Sequence, residues 1–200
     1  MTFPAFFEDV PGITLRDPLA EFLGAADGGL IEYRYVDAVR LAGHSCPTVA
    51  GAWLLTTRAL RALYGSEAPE RGAIRVEFGE SQRSGVAGVI ASVAGLLTGA
   101  AGVGGFKGLA GRFSRRDLLQ FEVPEAGDIR FARLDRAAAV RCTLDLSPVP
   151  GDPRMGELLP LVLQGMAGAE EAALFGRLWQ ERVRRILIDH HDDPALVRIS

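Results

Sequence analysis

The sequence predicts an α+β fold: an α-β-α-β-β-β core with a mixed or antiparallel sheet and a helical C-terminal appendage. Three observations predict it. A long amphipathic helix pattern at 47–64 runs into an alternating strand pattern at 73–78. Three strand patterns then follow one another between 118 and 146, without helices between them. Helix and strand therefore do not alternate throughout, which a doubly wound fold would require.

The elements follow in order. Asp17-Pro18 opens a short helix to Leu23, and Asp27-Gly28-Gly29 ends it. Leu30 to Tyr35 reads as a short strand, and Asp37 to Ala42 as a helical turn leading into Gly43-His44-Ser45-Cys46-Pro47. From Pro47 to Tyr64 the apolar stripe Val49, Trp53, Leu54, Leu60 and Leu63 marks a helix that Pro47 can start and Gly65 can close. Ala73 to Phe78 alternates as a strand. A small-residue helix runs from about Ser84 to Thr98 and gives way to a glycine-rich loop ending at Gly111. Strands follow at Leu118–Val123, Ile129–Leu134 and Ala138–Leu146. Pro148, Pro150, Gly151 and Pro153 punctuate a linker. Beyond it, Met155, Leu158, Leu159, Val162, Leu178, Trp179, Val183 and Ile186 outline amphipathic helices to about His190. The division is a core domain at 1–150 and a helical extension at 151–200, packed on that domain or on a partner.

Composition excludes several classes. The chain has 200 residues, 48% of them apolar, with 25 acidic against 22 basic side chains. That is ample for a core and unlike a disordered chain or a disulfide scaffold. A pI near 5.7 speaks against a nucleic-acid partner, which needs a concentrated positive field. Cys46 and Cys142 form no zinc-knuckle or cluster spacing. The 23 uncharged residues from Ser84 to Phe106 are long enough to cross a bilayer, but seven are glycine and no Trp or Tyr marks either end. They read as a buried helix rather than a membrane span. The first ten residues have no basic region and carry Glu8 and Asp9, unlike a signal peptide. A cytoplasmic location is the expectation.

The densest chemistry lies in Gly43-His44-Ser45-Cys46-Pro47-Thr48. An imidazole and a thiol two positions apart, at the mouth of a helix whose amides favour negative charge, could hold zinc or present a nucleophile. The plainer alternative is a cysteine tucked under a helix and a histidine closing a loop.

Gly-His-Ser-Cys-Pro opening a helix, then a strand, a small-residue helix and Thr98-Gly99 before a Gly/Lys loop, resembles the FmdE family of formylmethanofuran dehydrogenase components over about residues 35–145. The resemblance implies a core related to the catalytic domain of glyceraldehyde-3-phosphate dehydrogenase. It also implies a metal site, most often zinc, at His44 and Cys46. The family's motif has a further histidine where this chain has Ala42 and a glycine where it has Thr48. Its second-helix cysteine and the cysteine after Thr-Gly are missing here, and Ala100 follows Gly99. The cysteine-rich C-terminal module is missing too.

Further metal ligands could come from Glu32, Tyr35, Glu77 or Glu80. His190-His191-Asp192-Asp193 reads instead as a solvated helix end, since adjacent helical residues point about 100° apart. The loop from Thr98 to Gly111 matches neither a P-loop nor a dinucleotide fingerprint. It offers free amides and Lys107, the one lysine of the chain, as a catalytic candidate or a contact to a small anionic or carbonyl ligand. Arg112, Arg115, Arg116 and Asp117 read as a charged surface before the next strand, and Cys142 as a buried strand thiol. The leading expectation is a zinc-binding, homodimeric accessory protein of the FmdE type, not a complete oxidoreductase. The alternatives are a small metal-assisted hydrolase or lyase using His44, Cys46 and Lys107, and a metal-free small-molecule-binding module.

Overall fold

A computed structural model describes residues 2–200. The protein is α+β, with a two-stranded and a five-stranded sheet. β1 (Ile13–Arg16) pairs antiparallel with β2 (Leu30–Tyr33), and the short helix α1 (Pro18–Phe22) lies between them in the chain. Asp17 starts α1 by accepting from the amides of Leu19 and Ala20, at 3.0 and 3.3 Å. The sequence does not announce β1, because four residues are too few to show a period.

α2 (Tyr35–Ala42) ends at Gly43 and leads into α3 (Pro47–Tyr64), the buried central helix. Trp53, Leu54, Leu55 and Leu60 are wholly buried on it. Its two buried threonines stay satisfied within the helix: Thr56 Oγ1 donates to the Ala52 carbonyl and Thr57 Oγ1 to that of Trp53, at 2.8 and 2.9 Å. β3 (Ile74–Phe78) follows, then α4 (Ala87–Thr98). α4 packs on α3, and its Ala91, Ala94 and Leu97 are buried. It starts three residues later than its apolar pattern, since Gly85 adopts φ +47° and the chain still turns at Ser84.

β4 (Leu119–Gln120), β5 (Ile129–Arg133) and β6 (Ala139–Leu144) complete the predicted order. The sheet runs β4-β3-β5-β6-β7, where β7 is Val197–Ile199. β3 and β4 are parallel and the other pairs antiparallel. The strand expected over Leu118–Val123 shrinks to two residues. Glu122 sits at φ +59° and takes the chain out of the strand region, although Val123 N still reaches the Phe78 carbonyl at 3.0 Å. α3 crosses close over β6: a Cβ on Gly51 would fall 2.8 Å from Leu144 Cδ2.

The C-terminal segment is not helical throughout. α5 (Met155–Leu163) and α6 (Ala169–Arg184) run into a π-helical turn at Arg185–Asp189, and β7 then pairs with β6. Val183, Ile186, Leu187, Leu196 and Val197 are completely buried in the same core as Trp53 and Phe131. Residues 151–200 thus complete the sheet of the core domain. No helix among the described residues is long and apolar enough to cross a membrane.

One polar centre lies among these layers. The Asp17 carboxylate takes Arg71 on one oxygen and Arg115 on the other, at 2.5 and 2.7 Å. Arg71 also donates to the Leu96 and Leu97 carbonyls at the end of α4. Burial by itself would raise the Asp17 carboxyl, but the two guanidiniums and the two helix amides outweigh it and hold it below its ordinary value. Arg115, expected on the surface, is 8% exposed.

Candidate functional site

The motif turn is set by its two helices. Gly43, at φ +76°, ends α2 by donating its amide to the Val39 carbonyl, and Cys46 begins α3 in extended conformation. Cys46 Sγ accepts from the Val49 amide at 3.4 Å, so the thiol serves as the helix cap, half-exposed. His44 is exposed, with Nδ1 3.0 Å from the Ala42 carbonyl. A carbonyl can only accept, so Nδ1 carries the proton and Nε2 keeps its lone pair in a neutral ring. Ser45 points the other way: its hydroxyl meets the Tyr35 hydroxyl at 2.9 Å, and burial pushes that phenol up.

The C-terminal helices close over this turn. Trp179 Nε1 and Gln180 Nε2 each donate to the Ser45 carbonyl at 3.1 Å. Beside it, Pro47, Met155, Leu159, Leu178 and Trp179 line an apolar cavity of about 200 Å³, with Arg182 at its wall. Arg182 is fixed by donating to the Val149 carbonyl at 2.7 Å, and burial lowers its pKa. This half of the site is hidden in the sequence. Trp179 and Leu159 fall in a stripe that signals only burial, and nothing in that stripe reveals a contact with Ser45 across 134 residues.

The remaining candidates scatter. Glu77 is buried and paired with Arg130, Glu32 is paired with Arg34, and Tyr35 is committed to Ser45. Glu80 lines a different cavity, against Asp128 and Ile90. His190 binds Asp193 at 2.8 Å. His191 is not at a solvated end: its side chain is 17% exposed, and Arg61 Nη1 approaches its Nε2 at 3.2 Å. Lys107 is exposed on the glycine-rich loop, does not line the cavity beside Pro47, and has no ion pair among the described residues.

No three His, Cys, Asp or Glu side chains among the described residues form a group able to hold a metal ion. Structural zinc takes four protein donors and catalytic zinc three. His44 and Cys46 supply two, one of them engaged as a helix cap, so the residues present do not fit a protein-only zinc site. No protein-family model matches the chain, and no match was found among curated proteins.

Proposed function

We propose that this protein is a small-molecule-binding accessory module on a scaffold like that of the FmdE family of formylmethanofuran dehydrogenase, taking its ligand at the mouth of α3. One observation carries the reading: Trp179, which walls the apolar cavity, also holds the Ser45 carbonyl between His44 and Cys46. Cavity and motif turn are therefore built as one unit. A space of about 200 Å³ suits a ring or a short chain, with polar groups at the rim setting orientation. No reaction is assigned.

Gly156 on α5 lines the cavity with open space where a Cβ would stand. Gly156→Leu is expected to fill the cavity without disturbing the helix. The apolar fluorophore 1-anilinonaphthalene-8-sulfonate should quench Trp179 in the native protein and lose that effect in the variant. Equal quenching in both would overturn the reading.

A second reading is favoured by the His44 tautomer, which leaves Nε2 free as a lone-pair donor, the arrangement that a backbone acceptor on Nδ1 sets up in metal-binding histidines. In it, zinc or another divalent metal rests on His44 and Cys46 and takes its other donors from the ligand or from a second copy of the chain. Elemental analysis of the native protein, His44→Ala and Cys46→Ser decides it: metal lost in both variants supports it, and none in the native protein removes it. A homodimer belongs to the same proposal, since Leu163 and Met166 leave apolar surface exposed on the C-terminal side. Sedimentation reads the mass directly. A cytoplasmic setting fits either reading.

A further inference from the structure

A second cavity, of about 420 Å³, lies between Glu70-Arg71-Gly72 and the loop Arg112-Phe113-Ser114-Arg115. We propose that it is a binding site for the phosphate group of a small ligand, independent of the mouth of α3. Four observations point there.

The first is charge. Two guanidiniums share the single Asp17 carboxylate, while Glu70 is taken by Arg16 at 2.9 Å. Arg112 has no carboxylate partner among the described residues; its guanidinium instead lies 4.7 Å from the Phe113 ring centre. Across the network Arg16, Arg71, Arg112 and Arg115 face Asp17, Glu21 and Glu70, which leaves one positive charge over.

The second is an orphan donor. Arg115 lines the cavity nine-tenths buried, and its Nη1 has no hydrogen-bond partner. It lies against Gly72 and Gly99, where an added Cβ would stand 2.0 and 2.7 Å from it. A buried guanidinium nitrogen left unpaired is costly, and burial lowers the pKa of Arg115.

The third is backbone. Ala110, Phe113 and Asp117 all hold positive φ, a strained arrangement for residues with a Cβ. The amides of Phe113 and Ser114, two residues that line the cavity, make no hydrogen bond among the described residues. Successive free amides at a left-handed residue form an anion-binding concavity.

The fourth is the rim. Phe113 packs on Phe22, ring centres 5.4 Å apart, and Phe22 is 61% exposed. An apolar group attached to the phosphate would find an aromatic face there. Asp17 does not repel the anion, because both its oxygens are covered by arginine.

Calorimetric titration with inorganic phosphate and with phenyl phosphate, in chloride buffer of matched ionic strength, tests the site. We expect one saturable site for phosphate, weakened about tenfold by Arg112→Ala. That variant should melt where the native protein melts in chloride, so that a folding defect is told apart from lost binding. Tighter binding of phenyl phosphate, lost in Phe22→Ala, would support an organic monoester as the ligand; equal affinity would support the free ion. Heats no different from added chloride, or full affinity in Arg112→Ala, would overturn the proposal.

Discussion

Arg115 Nη2 donates to Asp17 Oδ1 at 2.7 Å, joining the segment before β4 to the start of α1 across 98 residues. Asp17 caps that helix with the same oxygen and gives its other one to Arg71, which is tied to the end of α4. One carboxylate therefore organises three elements. Removing its charge leaves two largely buried guanidiniums without a counter-ion. Asp17→Asn is expected to cost about 3–5 kcal/mol. Arg115→Met leaves the Asp17–Arg71 pair intact and should cost less. Urea unfolding of the two variants checks the order, and equal losses would refute it.

Asp17 also sets an acid limit. Its folded pKa lies below the unfolded value of about 3.9, so the folded state holds its proton less tightly. The stabilisation is in force above that unfolded value and is lost as pH falls through the folded one. The difference in stability between the native protein and Asp17→Asn should hold steady from neutrality to about pH 5 and shrink below about pH 4. Thermal melts of both proteins across that range measure it.

The order of core elements was legible because each carries its own period. Pro47 to Tyr64 is long enough to show a 3.6-residue stripe between a proline start and a glycine stop, and it forms over those residues. β7 was not legible: Val197–Ile199 is three residues long and gains its strand character from pairing with Cys142 to Leu144. His44 and Cys46 could be found from their types and spacing. Their surroundings could not, since Trp179 reaches Ser45 through tertiary packing alone. Arg115 was misplaced for a related reason. Beside Arg112 and Arg116 it looks like one more surface charge, and only the distant Asp17 explains its burial.

The two thiols should part in reactivity. Cys142 is buried on β6, and burial pushes its thiol up to about 12. Cys46 is half-exposed at the start of α3. Iodoacetamide at pH 8 is expected to add one group to the native protein, at Cys46, and two after denaturation. Intact-mass spectra give the count, and peptide mapping gives the position. A native adduct on Cys142 would mean that the sheet edge carrying β7 opens readily.

His191 gives a prediction near neutral pH. Arginine can only donate, so Arg61 Nη1 at 3.2 Å makes Nε2 the acceptor and leaves the ring neutral. Burial holds its pKa below the ordinary value, Arg61 and Arg58 add to that, and Asp192 opposes it. The unfolded chain therefore takes up this proton first as pH falls. Native stability is full above the unfolded value of about 6.5 and declines below it. His191→Gln keeps an acceptor for Arg61 but cannot titrate. Its melting temperature is expected to change less between pH 7 and pH 5 than that of the native protein. Matching slopes would show that His191 does not titrate across this range.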